Sequence, residues 1–119
     1  MHLDHSEITL LYNSKHPRDK QVVPYAMTIC SKINKQDVSS MDISATLFEY
    51  MVNALNCDAK ELINKADPEY QEKHRGHEYK PKMWFKAIKS NPNLLKAPIA
   101  LYKNKVVVCR NPSDVLKLR

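Results

Sequence analysis

The side chains of this sequence best suited to chemistry are its three cysteines, its five histidines and an arginine late in the chain. Cys30, Cys57 and Cys109 are widely spaced and form no CxxC pair, so neither a disulfide framework nor a paired redox centre is implied. Buried, reduced thiols of a cytosolic chain are the plain expectation. Cys109 stands out because Arg110 follows it at the end of an apolar run. A neighbouring guanidinium would depress the thiol pKa and raise its thiolate fraction. His16 lies in "ITLLYNSKHPRDKQ", at the corner between an apolar run and a helix-like segment. A neutral imidazole there could accept a proton, bind a metal or take a phosphoryl group. Asp19 is its one candidate partner within the loop, and acid–base work needs both a partner and a pocket. His74 and His77 form an HxxH in "HRGHE", which His2 and His5 could join. Strong zinc sites use four well-spaced ligands, usually with cysteine among them, so no metal is expected. Trp84, Phe85 and Tyr79 stand among lysines in the manner of a base-stacking surface. Helical spacing assigns Trp84 to the core, leaving Phe85 and Tyr79 as the rings that could be exposed.

A chain of 119 residues, 43% apolar and 27% charged, reads as a single globular domain over residues 1–119. At this size roughly two-thirds of the unfolded surface is buried, enough to fold without disulfides or metals. The longest uncharged stretch, Gln21 to Ser31, is far too short to span a bilayer. "MHLDHSE" has neither a basic start nor an apolar core, so no signal peptide is expected and the cytoplasm is the default location. Charge is unevenly spread. Residues 1–72 hold 7 basic and 11 acidic side chains, for −4, whereas residues 73–119 hold 12 basic and 2 acidic, for +10. Such asymmetry points to an anionic partner for the second part, with a solvated basic surface as the plainer account.

The chemistry-bearing residues need elements to hold them. Ile8 to Tyr12 reads as a strand that ends at the turn former Asn13. The segment from Arg18 to Lys32 carries Val22, Val23, Ala26, Ile29 and Cys30, with Ile33 just beyond, at helical spacing, and Pro24 forces a late start or a kink. A short strand is expected at Lys35 to Val38. "SATLFEYMVNALN" then gives an amphipathic helix capped by Asp42 or Ser44. A brief helix capped by Asp58 ends before Pro68, and "HRGHEYKP" is a loop. Lys82 to Ser90 is a helix with Met83, Trp84, Ala87 and Ile88 facing inward. Ile99 to Tyr102 and Val106 to Cys109 flank a hairpin turn at Lys103-Asn104, and "PSDVLKLR" closes as a short helix capped by Ser113. With a single glycine, Asn56 and Asn104 are expected to supply left-handed turn positions.

A strand–helix–strand start and a late hairpin preceded by proline describe an α/β thioredoxin-like sandwich: a four-stranded mixed sheet with a helical insert and helices on both faces. "NPNLLKAPIALYKNKVVVCRNPSDV" resembles the LL-x-x-P-I motif, hairpin and R-P-type ending of the arsenate reductase (ArsC)/Spx family, the small glutaredoxin-like proteins of bacteria. "ITLLYNSKHPRDKQ" looks like that family's opening strand and active-site loop, and "SATLFEYMVNALNCDAKELINKADPEY" looks like its inserted helical section. The resemblance covers nearly the whole chain from Ile8 onward.

In that family the loop after the first strand carries a nucleophilic cysteine at a helix N-terminus, where backbone N–H groups favour thiolate. Glutathione or another thiol then resolves the adduct. The matching position here is His16, and imidazole forms no stable thiol–arsenic or mixed-disulfide intermediate. The family's three pocket arginines match Ala97, Asn64 and Arg110, so one of three is kept. Lys15 or Lys96 could add charge nearby without an arginine's fork. Pro98 matches a proline that the resemblance implies to be cis. The resemblance thus implies an arsenate reductase/Spx-like protein with a degenerate site, in which Arg110, Pro98 and Lys15 serve ligand binding and no cofactor is used. It would act by binding a protein partner, RNA polymerase by analogy with Spx-like members. The alternative is a thiol-dependent oxidoreductase that works with glutathione through a non-standard cysteine such as Cys109. Direct nucleic-acid binding by the basic half would be no more than salt-sensitive electrostatics.

Overall fold

A computed structural model describes residues 5–119. The apolar run Ile8–Tyr12 forms strand β1, and its side chains split between two cores as the pleat requires: Ile8 and Leu10 on one face, Leu11 on the other. Pro17–Gln21 makes a 3-10 turn, followed by helix α1 at Val22–Met27. Of the two expectations for Pro24 the late start holds. Pro24 sits in the first turn of α1, where its missing N–H costs nothing. The helix also ends well before Lys32, with Thr28 at its C-terminus.

Strand β2 is Ile33–Asp37, not Lys35 to Val38. Its limits are set by parallel pairing with β1, from Ile8 opposite Ile33 to Tyr12 opposite Asp37, which local propensity does not reveal. Helix α2, Ala45–Leu55, is capped by Ser44, whose Oγ accepts from the Leu47 N–H at 3.1 Å. Asp42, the other candidate, pairs instead with the Lys89 ammonium. Leu47, Phe48 and Met51 are buried, and Asn56 ends the helix in the left-handed region at φ 50°.

The insert after α2 contains a 3-10 turn at Ala59–Leu62 and a single π turn at Tyr70–His74, of which only His74 belongs to the expected loop HRGHEYKP. Asp58 precedes the first turn without a side-chain cap bond. Helix α3, Pro81–Ser90, opens on proline at its first turn and buries Trp84, Ala87 and Ile88. Met83 is 48% exposed, against expectation. Phe85 packs on Phe48 with ring centroids 5.6 Å apart, which centres the buried stripe on Trp84 and Ile88 and turns Met83 outward.

Strands β3, Ile99–Tyr102, and β4, Lys105–Val108, form the expected hairpin, one residue out of the expected limits at β4. Its left-handed residue is Lys103, at φ 54°, rather than Asn104. The sheet order is β2-β1-β3-β4, with β1–β2 parallel and the other pairs antiparallel. Pro112–Leu118 closes the described chain as a 3-10 helix. Its cap is Asn111, in a reciprocal capping box with Asp114, and not Ser113. One core holds α2, α3 and the insert against the sheet. The other holds Val22, Ala26, Cys109, Val115 and Leu118 on the opposite face, so helices do cover both faces.

Candidate functional site

The loop after β1 is organised by Asn13, which is 1% exposed. Its backbone N–H donates to Asp19 Oδ2 at 2.9 Å, and its carbonyl accepts from the His16 N–H at 2.9 Å. The Asn13 side chain works in both directions as well. Oδ1 accepts from the Lys15 N–H at 2.9 Å, and Nδ2 donates to Asn93 Oδ1 at 2.9 Å. One buried amide therefore fixes the path of residues 13–19 and ties it to the segment that leads into β3. Asp37 braces the far side of the loop, accepting from the N–H of Ser14 at 3.1 Å and from Ser39 Oγ at 2.8 Å. The Ser14 hydroxyl foremost, then the Ser39 hydroxyl and the N–H groups of both serines, hold the Asp37 carboxyl down at about 2 against the opposing effect of burial.

The second wall comes from the approach to β3. A short bridge joins Ile63 to Leu95, with the Asn64 N–H donating to the Leu94 carbonyl at 2.6 Å and the Lys96 N–H to the Leu62 carbonyl at 2.8 Å. It sets Asn64, Lys96 and Ala97 beside the Ala97-Pro98 bond, which is cis. The third wall is the end of the hairpin. The Cys109 N–H donates to the Pro98 carbonyl at 2.9 Å, and Asp114 Oδ2 accepts from the Arg110 and Asn111 N–H groups at 2.9 and 3.0 Å.

Between these walls lies a cleft of about 630 Å³, lined by Lys15, His16, Asp19, Lys96, Pro98 and Arg110 among others. It adjoins a smaller cleft of about 340 Å³, with His16, Lys96 and Ala97 common to both and Asn64 and Asp67 on the far side. Lys15, His16, Pro98 and Arg110, far apart in sequence, are thus brought together, and the positions Asn64 and Ala97 lie next to them. Lys15, Arg18, Lys96 and Arg110 all line the larger cleft, and none has an ion-pair or side-chain hydrogen-bond partner among the described residues. Asp19 is their buried counterweight at 7% exposure. Burial pushes its carboxyl up, opposed by the Asn13 N–H and by nearby His16.

Cys109 corrects the sequence expectation. Burial, with Asp114 next, pushes its thiol up to about 12, so Arg110 does not depress it. The Arg110 side chain is exposed, while the thiol lies inside the core beside Val115 and Leu118. Cys57, half-buried, is also pushed up by burial and by Glu61 and Asp58. Cys30 lies away from the cleft, its Sγ near the Ser6 and Lys32 carbonyls at 3.3 and 3.5 Å.

The histidines and rings set aside for metal or stacking form a different centre. His74 faces Tyr79 Oη at 3.2 Å with Nδ1 and Glu69 at 3.7 Å with Nε2, while His77 stacks on Tyr79 at 5.2 Å. Tyr79 packs on Trp84 at 4.6 Å, so neither Tyr79 nor Phe85 offers a free stacking face. His5 is exposed, and His2 lies outside the described residues. Asn13 and Asn93 are what sequence reasoning missed. Asn13 was legible as a turn former, but nothing local signals a bond to a residue 80 positions away.

The model of the ArsC family matches residues 25–118. An arsenate reductase from Vibrio cholerae superposes with a TM-score of 0.84 at 14% identity, covering 98% of this chain and 100% of that one. A Yersinia pestis protein classed with the arsenate reductases gives 0.79 at 18% identity, covering 92% and 98%. An arsenate reductase-related protein from Brucella melitensis gives 0.65 at 12% identity, covering 90% and 89%. At these identities the structures establish the thioredoxin-like fold. Comparison with curated proteins finds no match. No helix among the described residues is long and apolar enough to cross a membrane.

Proposed function

The chain belongs to the ArsC family, and from that premise we propose that it binds an anion in its basic cleft without reducing it, and acts by binding a protein partner. The observation that carries this reading is the state of the cleft's thiol. Cys109 is the cysteine on its lining, and its thiol is buried and raised to about 12. At neutral pH that leaves a thiolate fraction on the order of 10⁻⁵, and thiolate is the nucleophile. On the exposed loop after β1, the position that the family likeness gives to the nucleophile holds His16. Its imidazole cannot carry arsenic or a mixed disulfide through a reduction cycle. Meanwhile four cations without ion-pair partners among the described residues line the same cleft, a setting that favours binding of an oxyanion. A transcription complex is the partner class suggested by the likeness to Spx-like members, and no cofactor is part of the reading.

Three measurements test it. Arsenate with glutathione and a coupled reductase should give no turnover above background; turnover that Cys109→Ser abolishes would overturn the reading in favour of thiol chemistry. Titration with inorganic phosphate, followed by amide chemical shifts, should perturb residues 15–19 and 96–110. Arg110→Ala should weaken that binding about tenfold or more, the scale of a hydrogen bond to a charged group. Binding to purified RNA polymerase, compared between wild type and Arg110→Ala, tests the partner.

A further inference from the structure

We propose that Asp19 makes this cleft select an anion that carries its own hydrogen-bond donor, hydrogen phosphate, over one that carries none, sulfate. This rests on the reading of the cleft as an anion site and names the anion.

Lys15, Arg18, Lys96 and Arg110 attract any dianion of tetrahedral shape, because ammonium and guanidinium groups only donate. They cannot tell phosphate from sulfate, which match in charge and nearly in size. Asp19 can. Asp19 lines the same cleft and is more than nine-tenths buried. Oδ2 is held by the Asn13 N–H at 2.9 Å. Oδ1 has no partner among the described residues, and it keeps some accessible surface. None of the four cations pairs with it, so its position does not depend on them. An ionised carboxylate is acceptor-only. Facing it, hydrogen phosphate turns its P–OH and makes a charge-assisted bond. Sulfate can only oppose lone pairs to lone pairs and leaves the acceptor unpaired in a desolvated place. Leaving a buried polar group unmatched is what gives such sites their discrimination. Burial, which already pushes the Asp19 carboxyl up, marks a group whose charge is poorly solvated and gains from a donor.

A phosphoryl group can come free or on a serine. A phosphomonoester loses its last proton near pH 6, so at pH 7.5 it is mostly a dianion without a donor. Free phosphate keeps one proton there.

The experiment is calorimetric titration of the whole protein at pH 7.5 with inorganic phosphate, sulfate and phosphoserine. Phosphate should bind at least about tenfold more tightly than the other two, on the order set by an unmatched polar group in a partly open site. Asp19→Asn keeps an amide oxygen for the Asn13 N–H and turns an NH₂ to the cleft. Sulfate should then bind as well as phosphate, within about threefold, because the discriminating acceptor has become a donor. Asp19→Ser, which offers both donor and acceptor, should also narrow the gap, and circular dichroism confirms that each variant folds. Equal binding of phosphate and sulfate by the wild type overturns the role of Asp19 and leaves the anion site standing. So does phosphoserine binding as tightly as phosphate. Discrimination that survives both substitutions likewise overturns it. Binding of none of the three overturns the anion site itself.

Discussion

The Trp84 cluster and the basic cleft are built from similar side chains and put them to opposite uses. Around Trp84 the polar side chains that touch the rings are matched. Lys60 reaches Glu78 at 2.7 Å and lies 6.0 Å over the indole, and His74 is held between Glu69 and Tyr79. In the cleft, Lys15, Arg18, Lys96 and Arg110 stand around one buried carboxylate with no ion pair among the described residues. The first arrangement closes the insert against the sheet. The second leaves like charges gathered on a concave surface, an unfavourable state that a bound anion relieves. Matched charges indicate structure, whereas unmatched ones in a hollow indicate a ligand. The two histidine-bearing motifs of the sequence therefore part company, HRGHE to packing and SKHPRD to the candidate site.

That contrast can be broken in several ways. The largest effect concerns the thiol shared by cleft and core. With its pKa raised from 9.0 to about 12, Cys109 should react with iodoacetamide at pH 8 about a thousandfold more slowly than an unperturbed thiol. Mass spectrometry should find it modified last of the three cysteines. Early modification of Cys109 would return catalysis to the cleft. Next is Trp84→Ala, which should cost about 3–5 kcal/mol in urea unfolding, because it empties the centre of the larger core. A loss under about 1 kcal/mol would mean the cluster is a surface feature and the contrast is false.

Asn13→Ala should cost about 1–3 kcal/mol, since it strands the Lys15 N–H and the Asn93 side chain. Unlike Trp84→Ala, it should also weaken phosphate binding. A stability loss with unchanged affinity would show that loop geometry does not matter to the cleft. The smallest effect is pH-linked. Asp37 is held at about 2 in the folded state against 3.8 otherwise. Its contribution is complete above pH 3.8 and is lost as pH falls toward 2, as for any carboxylate depressed on folding. Asp37→Asn should flatten the wild-type decline in stability over that window. An unchanged acid limb would mean that the Ser14 and Ser39 bonds do not persist in solution.

The sequence carried much of the architecture, for reasons that particular residues make plain. β1, α2 and the β3–β4 hairpin come from patterns that span a few residues, so their existence was legible. The limits of β2 were not, because pairing with β1 places Ile33 opposite Ile8. The turn at Lys103 went to a lysine and not to Asn104, because the two strands set which turn position takes positive φ. Burial of Cys109 was masked by its neighbour: adjacent residues at a strand end point to opposite sides, so Arg110 was close in sequence and turned away in space. His16, Pro98 and Arg110 were grouped by the likeness to a family. Asp19 appeared only as a partner for His16, whereas its burial and its bond to Asn13 depend on a loop closed from 80 residues away.

β1 has a neighbour on each side, β2 and β3, while β2 and β4 form the edges of the sheet. Amide protons in such a central strand are released only when the whole domain opens, whereas those of edges and loops escape through local fraying. Asn13 follows β1 directly, so the cleft loop hangs from one of the two interior strands of the sheet. The Ser14, Lys15 and His16 N–H groups are themselves bonded, to Asp37 and to Asn13, so their protection depends on those two side chains and on the Asn13 carbonyl. Deuterium uptake at Lys15 should therefore rise in Asn13→Ala while uptake in β1 stays low.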